Sequence, residues 1–417
     1  MNRTVLLALA LLAMLLPALV VVPTAGGQSA APMRFGMDAG STAAQANAGA
    51  KPDYGTIWIG PWTLSSGWGG PNAAMDRMVA AGITPAIHFY YWGDDISRSC
   101  VENGCWSNLH NTWKDKNGWQ RLARELGDAL NARMKGKPVL VLVETEFNKN
   151  GIGDYEAFDG YLRDKIRYLD MRYPAAQFVL AFGNWASHQW GTYDRAAGAS
   201  DYVGVQGMRG STRDSLDRYR SLYESTLAGV QRAHALFGKA TFITDIALSS
   251  YPEPGYLEPQ RAELREFFAN LATLKSAGVR GMLYRAWFDN PNMDTKNYYG
   301  VAERHWGLAY PGGSWKPAAK VWVDGVRAER SASSSGFSPV FEPRGMSNPW
   351  WVEVKITANE PVVKAEARLN GGAWTDLPKT SWGTFAKSMH APAGTKIEFR
   401  ATGASGATAV SKVFVAG

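Results

Sequence analysis

The stretch Val139–Asn148, with the sequence VLVLVETEFN, constrains the fold more than any other part of the chain. Five consecutive Val and Leu residues predict a strand that is buried on both faces, as in parallel sheets covered by helices. The run ends in Glu144 and Glu146, which share one face if the strand continues. We expect repulsion between the two carboxyls to raise the pKa of one of them. An exposed strand end with two solvated acids is the alternative, and the apolar run argues against it.

Short apolar segments alternate with amphipathic segments from Met33 onwards. Eight apolar segments are predicted strands: Met33–Asp38, Gly55–Trp62, Thr84–Trp92, Val139–Glu146, Gln177–Asn184, Tyr202–Arg209, Thr241–Ala247 and Gly281–Trp287. The segments between them predict helices, such as Trp119–Met134, Tyr155–Arg172, Ser215–Leu236 and Pro259–Ala277. Eight strand–helix units predict an α/β fold, a (β/α)8 TIM barrel over residues 32–328. A doubly wound open sheet is the alternative, and no Gly-rich phosphate-binding fingerprint supports it.

The amino terminus has the organisation of a secretory signal peptide, which we predict for residues 1–31. A positive charge at Arg3 precedes the apolar segment Val5–Val22, and small and polar residues follow it. The apolar segment is also close to the length of a membrane span, so an uncleaved anchor is the alternative. Cleavage would give a secreted protein.

The composition limits the classes of partner and cofactor that we expect. Export favours a disulfide between Cys100 and Cys105, because exported proteins meet an oxidising environment. Two cysteines without clustered histidines give little support for zinc, and we predict neither a metal nor a cofactor. The net charge is +7, with Lys and Arg scattered along the chain. Since nucleic-acid binding needs a basic stripe, we predict no nucleic-acid partner. Nothing in the sequence indicates the oligomeric state.

The chain changes character after the eighth predicted strand. A closing helix is predicted for Pro317–Gly325, and a Ser-rich linker for residues 329–339, ERSASSSGFSP. Residues 340–417 contain short runs of alternating polarity, such as WWVEVKI and TKIEFRAT, which turn residues separate. This pattern predicts a small all-β, immunoglobulin-like sandwich.

Polar and aromatic residues follow most of the predicted barrel strands, where (β/α)8 barrels place their active sites. Ten of them are predicted to line a substrate site: Asp38, Trp62, His88, Tyr90, Trp92, Asn184, Gln206, Arg209, Arg285 and Trp287. So many polar groups are costly to bury unless they bind something. Alternatives stay open for four of them. His88 fits a core histidine, Tyr90 and Trp92 fit core filling as well as a sugar platform, and Arg285 fits a salt bridge.

Asp245 in TFITDIALSS is the second carboxylate of the predicted site, because it lies within the seventh apolar strand. A salt bridge to Arg285 is compatible with that role, since a neighbouring Arg keeps a carboxylate ionised. Cleavage of a glycosidic bond needs one protonated acid and a second carboxylate that attacks the sugar or activates water. We predict Glu146 as acid/base and Asp245 as nucleophile or base. Glu144 would hold Glu146 in place and tune its pKa, or would bind a substrate hydroxyl. Glu253 is the reserve candidate for the nucleophile.

The two strand ends resemble those of the retaining glycoside hydrolases built on (β/α)8 barrels, over about Met33–Val326. In that superfamily an acid/base Glu ends strand four and a nucleophile ends strand seven. The matching positions are Glu146 in VETEFN and Asp245 in FITDIALSS. The resemblance implies a hydrolase that cleaves a polysaccharide. Two positions depart from the pattern: Thr145 precedes the acid where Asn is usual, and Asp245 stands where Glu is usual. They leave room for inversion, or for Glu144 and Glu146 as the acting pair.

The C-terminal segment resembles the carbohydrate-binding domain of expansin-like proteins, through WWVEVKI, GGAWTDLPKTSWGTF and FRAT. The resemblance implies polysaccharide binding by Trp351, Trp374 and Trp382, with core packing as the alternative. Because Trp350 and Trp351 are adjacent, we expect at least one of them to be exposed. A tethered sandwich would hold an enzyme on an extended substrate. The competing hypotheses are a catalytically silent polysaccharide-binding or adhesion protein, and a polysaccharide lyase or transglycosylase.

Overall fold

The computed structural model describes residues 32–92, 118–149, 152, 155–209, 221–293, 299–333, 339–358, 361–381, 383–403 and 407–417. Several predictions fall outside them: the signal peptide, Cys100 and Cys105 with their disulfide, part of the Ser-rich linker, and Trp382. For Arg209 only the backbone is described. Among the described residues, no helix combines the length and the apolar character that crossing a membrane requires.

Eight parallel strands close into a barrel in sequence order, with the first strand paired to the eighth. They are β1 (Arg34–Asp38), β2 (Tyr54–Ile59), β3 (Thr84–Phe89), β4 (Val139–Val143), β5 (Ala176–Phe182), β6 (Tyr202–Arg209), β7 (Thr241–Leu248) and β8 (Val279–Tyr284). The closed order confirms the predicted (β/α)8 barrel and excludes the doubly wound open sheet.

The VLVLV run forms β4, and all five of its residues are buried. Leu140 and Leu142 belong to the cluster inside the barrel. Val139, Val141 and Val143 belong to the larger cluster that includes the apolar faces of the helices. Successive residues of a barrel strand point alternately inwards and outwards, so a strand covered on both sides is apolar at every position. Burial of each such side chain stabilises the fold by about 1.5–3 kcal/mol.

Helices cover the outside of the barrel, and the sequence marks several of their ends. They are α1 (Thr42–Asn47), α2 (Pro61–Ser66), α3 (Gly69–Ala80), α4 (Gly118–Met134), α5 (Glu156–Arg172), α6 (Asp194–Ala199), α7 (Leu222–Phe237), α8 (Leu257–Ala269), α9 (Leu271–Ser276) and α10 (Pro317–Ser333), with 3-10 turns at Ala39–Ser41, Ser187–Tyr193 and Gly300–His305. In α7, Ser221 and Glu224 form a capping box, and Gly238 at φ 64° ends the helix. Local sequence therefore defines α7 at both ends.

Helix α10 is longer than predicted, because it continues past Gly325 to Ser333. A buried carboxylate near its end explains the extension. Glu329 Oε1 accepts hydrogen bonds from the backbone N–H of Met33 and from the ammonium of Lys275, both at 2.9 Å. These contacts hold the last helical turns against the start of β1 and the end of α9. The predicted start of the linker at residue 329 is therefore wrong, and the helix covers that position.

Two antiparallel sheets form the C-terminal part and share one apolar core. One sheet has the order β13–β10–β9 and the other β12–β11–β14–β15, with β16 beside β14. The strands are β9 (Val340–Arg344), β10 (Val352–Thr357), β11 (Val362–Leu369), β12 (Thr375–Leu377), β13 (Phe385–Lys387), β14 (Lys396–Gly403), β15 (Thr408–Val410) and β16 (Phe414–Val415). Val354, Ala367 and Phe399 are fully buried between the sheets. The predicted all-β domain is confirmed.

The sandwich contacts the barrel at the amino-terminal ends of the barrel strands. Arg344 of β9 forms an ion pair with Asp201, which directly precedes β6. Lys355 of β10 lies 3.6 Å from the same carboxylate. Gln177, near the start of β5, donates a hydrogen bond to Thr357 at 2.6 Å. These ion pairs and this hydrogen bond hold the sandwich against the barrel. The sandwich is therefore docked on the barrel, whereas we expected it to be joined only by a linker.

Candidate active site

A single amide links two carboxylates at the carboxyl end of the barrel. Gln206 on β6 donates a hydrogen bond from Nε2 to Oε1 of Glu146, which follows β4. The same side chain hydrogen-bonds Asp245 on β7 and opposes the rise in the pKa of that carboxyl. One side chain therefore contacts both acids, and the negative charge of Glu146 acts on the carboxyl of Asp245. The two carboxylates thus lie near each other at the carboxyl end of the barrel.

Arg285, which directly follows β8, holds the carboxylate of Asp245. Its Nη1 lies 2.5 Å from Oδ2 of the aspartate. Burial raises the pKa of Asp245 above its ordinary value, the positive charge of Arg285 opposes that rise, and the negative charge of Glu146 adds to it. The predicted salt bridge is therefore present within the predicted site, and it favours an ionised carboxylate beside Glu146.

A stack of rings lies beneath Arg285. Its guanidinium is 4.7 Å from the ring of Trp58 and 5.2 Å from the ring of Trp306. The ring of His88 stacks on Trp58 at 4.1 Å, and its Nδ1 lies 3.0 Å from the hydroxyl of Thr145. Burial, followed by the charge of Arg285, lowers the pKa of His88 to about 3. His88 is therefore neutral near pH 7, and its contacts are those of a supporting residue.

Lys149 brings a second cation to the site, beside Glu146. Its ammonium lies 3.6 Å from Oε2 of Glu146 and donates a hydrogen bond to the hydroxyl of Tyr90. The ring of Tyr90 packs edge-on against Trp58 at 5.2 Å. Each of the two acids thus lies beside a cation, Glu146 beside Lys149 and Asp245 beside Arg285.

The structure corrects the predicted role of Glu144. Its carboxylate accepts hydrogen bonds from the backbone N–H groups of Tyr91 and Trp92 at 3.3 and 3.1 Å, and from the indole N–H of Trp119 at 3.0 Å. Burial raises the pKa of Glu144 to about 8, against these hydrogen bonds. The predicted rise is thus present, but its cause is burial rather than repulsion by Glu146. Glu144 fixes the loop after β3 to α4 and does not hold Glu146.

The chain after β4 explains why the two acids separate. The strand ends at Val143, and Glu144 and Glu146 both have positive φ angles, 47° and 63°. The rule that alternate strand residues share a face therefore does not reach them. Left-handed backbone costs on the order of 1 kcal/mol for each residue other than Gly, and such strain concentrates at functional sites. The backbone N–H of Glu146 bonds to the carbonyl of Ala181 at 3.0 Å, which holds the turn against β5.

Four exposed aromatic residues surround the mouth of the barrel, and we call them the aromatic rim: Trp62, Trp185, Tyr251 and Trp315. They follow β2, β5, β7 and β8, and between 40% and 48% of each is exposed. Asn148 fixes one of them. Its side-chain amide donates to the backbone carbonyl of Gly183 at 3.0 Å and accepts from the backbone N–H of Gly183 at 2.7 Å, and its backbone carbonyl accepts from the indole N–H of Trp185 at 3.2 Å. Only Trp62 was predicted among the four.

A second polar cluster lies between the loops that follow β7 and β8. The buried ammonium of Lys316 is 3.0 Å from Glu253 and 2.7 Å from Asp289. Glu253, Asp289 and His305 have oxygen and nitrogen atoms close enough to share a cation, and the lysine ammonium already lies against two of the three. Glu253 therefore belongs to this cluster, and its contacts do not support it as the reserve nucleophile.

Four predicted substrate residues make contacts within the protein: Asp38, Trp92, Asn184 and Trp287. Trp92 and Trp287 are buried, whereas Asp38 and Asn184 are half-buried and their role in substrate binding stays a prediction. Asp38 accepts a hydrogen bond from the backbone N–H of Trp287 at 2.9 Å, and the Trp287 side chain is buried. The ring of Trp92 packs on two aromatic rings of α5, so its core-filling alternative is the right one. Asn184 donates to a backbone carbonyl of α7 at 3.2 Å.

Two of the three predicted tryptophans of the sandwich, Trp351 and Trp374, are described, and both lie outside its core. The half-buried ring of Trp374 lies over the guanidinium groups of Arg368 and Arg400, at 4.7 and 4.6 Å. Trp351 is half-buried, and its neighbour Trp350 is 62% exposed, which confirms that one of the two faces solvent. Neither Trp351 nor Trp374 belongs to the apolar cluster between the sheets, so the core-packing alternative is wrong for both.

Sequence reasoning missed several residues of the site, namely Trp58, Thr145, Lys149 and Trp306. Trp58 lies within a predicted strand and pairs in register with His88, so the alternation of β2 could have indicated it. Lys149 gave no such signal, because a left-handed turn carries it back towards the acid. The orientation of that turn depends on β5, which is distant in sequence.

No protein-family model and no curated protein sequence matches the chain. Among solved structures, it is similar to an endo-β-1,4-mannanase from Thermotoga petrophila, with a TM-score of 0.51 and 9% identity, covering 93% of this chain and 98% of that one. An exo-β-1,4-mannosidase from Opitutaceae bacterium strain TAV5 has a TM-score of 0.55 and 13% identity, covering 73% and 61%. The catalytic core of a xylanase A has a TM-score of 0.50 and 15% identity, covering 72% and 100%. At these identities the likeness shows the fold, so the expected resemblance to barrel glycoside hydrolases is confirmed at that level.

Proposed function

We propose that the protein is a secreted glycoside hydrolase that cleaves a polysaccharide with two carboxylates, Glu146 and Asp245. The observation that carries the proposal is the Gln206 amide between them, because it directs both acids into one small space at the barrel mouth. Hydrolysis of a glycosidic bond requires such a pair across the scissile bond. Secretion is supported by the signal-like organisation of residues 1–31.

We favour retention of configuration for this pair. Carboxyls lie about 5–5.5 Å apart in retaining enzymes and about 6.5–9.5 Å apart in inverting ones. The contact of both carboxylates with the one Gln206 side chain supports the closer spacing. We therefore favour Asp245 as nucleophile and Glu146 as acid/base. Retention against inversion is read from the anomer that first appears when product formation is followed by NMR.

Both steps of the reaction can be written with these two residues. A carboxylate oxygen of Asp245 attacks the anomeric carbon while the bond to the leaving oxygen breaks, and that oxygen takes the proton of Glu146. In the second step Glu146 takes a proton from water, whose oxygen displaces Asp245 from the sugar. This releases the product and restores both carboxyls. Arg285 favours the ionised form of Asp245 that the first step needs.

Polysaccharide as substrate is supported by the aromatic rings outside the pocket. The aromatic rim offers four exposed rings around the mouth, and such rings are amphipathic surfaces that can cover the apolar faces of sugars. The similar solved structures are named as acting on mannan-type and xylan-type chains, so these polymers are the first to test. Trp350 and Trp374 on the sandwich could anchor the protein to the same polymer, as the expansin-like resemblance implies.

The decisive experiment replaces Glu146 with Gln in the exported protein. Wild-type protein is incubated with mannan, xylan and other polysaccharides, and released reducing ends are measured. We expect Glu146→Gln to lower kcat by about 10²–10⁴-fold with little change in KM, because it removes the proton donor and keeps the shape. Glu156→Gln on α5 is the matched control, since that carboxylate is 79% exposed and pairs with Arg195 at 3.7 Å.

Other outcomes identify the competing functions. Wild-type protein that binds a polymer and releases no ends from any of them would identify a binding or adhesion protein. Products with an unsaturated terminal sugar would identify a lyase, and longer product chains a transglycosylase. Full activity in the Glu146→Gln variant would contradict the assignment of the acid.

A further inference from the structure

Lys149 is a buried cation that the two-carboxylate reaction does not require. Only 3% of the residue is exposed, although its side chain is long and charged. Burying an ammonium group is unfavourable unless nearby groups compensate its charge. Here Oε2 of Glu146 lies 3.6 Å away, and the hydroxyl of Tyr90 accepts a hydrogen bond from Nζ. The loop after β4 therefore places a positive charge beside the proposed acid/base residue.

The contacts of Lys149 complete a ring of side chains around the pocket. On one side, Gln206 connects the two acids directly. On the other side, Lys149 contacts Tyr90, and the ring of Tyr90 packs against Trp58. The guanidinium of Arg285 lies over the ring of Trp58 and forms the ion pair with Asp245. Both oxygens of the Glu146 carboxyl thus have a polar neighbour, the amide at Oε1 and the ammonium at Oε2. This arrangement fixes the direction in which the carboxyl points.

We infer that Lys149 is a positioning residue that orients Glu146 and stabilises the negative charge that Glu146 gains as its proton passes to the leaving oxygen. The inference depends on the proposed hydrolase function. A fixed charge aimed at a charge that develops in the transition state raises kcat more than it changes substrate binding. Lys149 itself exchanges no proton and forms no bond in this reaction. Its charge also opposes the rise in the pKa of Glu144, which takes no part in the reaction, so its effect on the reaction passes through Glu146.

This dependence on Glu146 gives a readout that a purely structural role would lack. Proton donation matters greatly for a poor leaving group, such as a sugar hydroxyl, and little for an acidic one, such as 2,4-dinitrophenol. Loss of Lys149 should therefore slow cleavage of an oligosaccharide much more than cleavage of the matching 2,4-dinitrophenyl glycoside. General misfolding of the site would slow both substrates alike.

The experiment compares Lys149→Met and Lys149→Arg with wild type in the full chain. The probes are mannobiose- or xylobiose-based 2,4-dinitrophenyl glycosides and the corresponding oligosaccharides, chosen by which polymer the wild type cleaves. We expect Lys149→Met to lower kcat on the oligosaccharide by about 10–100-fold and on the activated glycoside by less than about 3-fold, with KM nearly constant. Lys149→Arg should recover much of the loss, because it keeps the charge. Lys320→Met is the matched control, since that side chain is 75% exposed.

A double-mutant cycle provides the second measurement. If Lys149 acts through Glu146, Lys149→Met should have little further effect on kcat when Glu146 is already Ala. Equal losses on both probes, or additive losses in the cycle, would overturn the inference and leave Lys149 with a structural role. An inactive wild type would instead refute the proposed hydrolase function, so the two failures are distinguishable. Circular dichroism of each variant checks that the barrel is folded.

Discussion

Replacing Glu144 with Gln is predicted to remove a pH dependence of the free energy of unfolding. Burial raises the pKa of this carboxyl from 4.5 to about 8. The folded protein therefore binds the proton more tightly than the unfolded chain does. The stability that this carboxyl contributes is fully present below about pH 4.5, decreases as the pH rises through the folded pKa, and is lost above about pH 8. Gln cannot ionise, so the variant lacks this decrease.

The size of the effect follows from the pKa and from the hydrogen bonds. One pKa unit corresponds to about 1.4 kcal/mol, so the shift amounts to roughly 5 kcal/mol over the whole range. Gln also has a cost that does not vary with pH. Its oxygen can replace Oε1, which accepts from Tyr91 and Trp119, but its NH₂ group would then meet the backbone N–H of Trp92. A buried donor without an acceptor costs about 1–3 kcal/mol. We expect Glu144→Gln to be less stable than wild type at pH 5 and more stable at pH 9.

The assay is equilibrium unfolding in urea for both proteins at intervals from pH 5 to pH 9. The difference between the two curves isolates Glu144, because the other titrating groups are common to both proteins. Glu156→Gln serves as control, since it makes the same chemical change at an exposed carboxylate. A constant offset between wild type and Glu144→Gln, without the crossover, would refute the argument that burial holds a proton on this residue.

Two further predictions concern the sandwich. Asp201→Asn removes the charge shared by Arg344 and Lys355, and loss of one partner from a buried ion pair costs about 3–5 kcal/mol, so thermal unfolding should occur at a lower temperature than in the exposed control Asp128→Asn. An unchanged midpoint would show that this contact contributes little. Trp374→Ala should weaken retention on insoluble polysaccharide and leave hydrolysis of soluble oligosaccharides unchanged, whereas equal losses in both assays would contradict a separate anchor.

The barrel could be predicted because its strands and helices are defined by local patterns. β6 has the predicted bounds, and the five apolar residues of β4 are buried as expected. The ends of helices and strands could not be predicted where contacts with residues distant in sequence determine them. Helix α10 continues because Glu329 meets Lys275 and the start of β1. No local signal in the Ser-rich segment indicates that pairing.

Residues of the site could be predicted where a side chain suited to catalysis lies in or just after a predicted strand. Gln206 and Asp245 lie within strands, Glu146 and Arg285 follow strands closely, and the closed barrel brings all four together. The rule that alternate side chains share a face failed beyond Val143. It assumes an extended chain, and the chain there enters a left-handed turn. That turn is held by a hydrogen bond to β5, which a single sequence does not reveal.

The docked sandwich changes how an anchor could serve this barrel. Its contacts lie near the start of β5 and just before β6, while the carboxylate pair lies at the opposite, carboxyl ends of the strands. Strands of about six residues separate these ends by roughly 20 Å. A domain that is docked at that end cannot swing to deliver a bound sugar to the pocket. Any gain from the anchor must therefore come from holding the whole protein near the polymer, which raises the effective concentration of chains around the pocket.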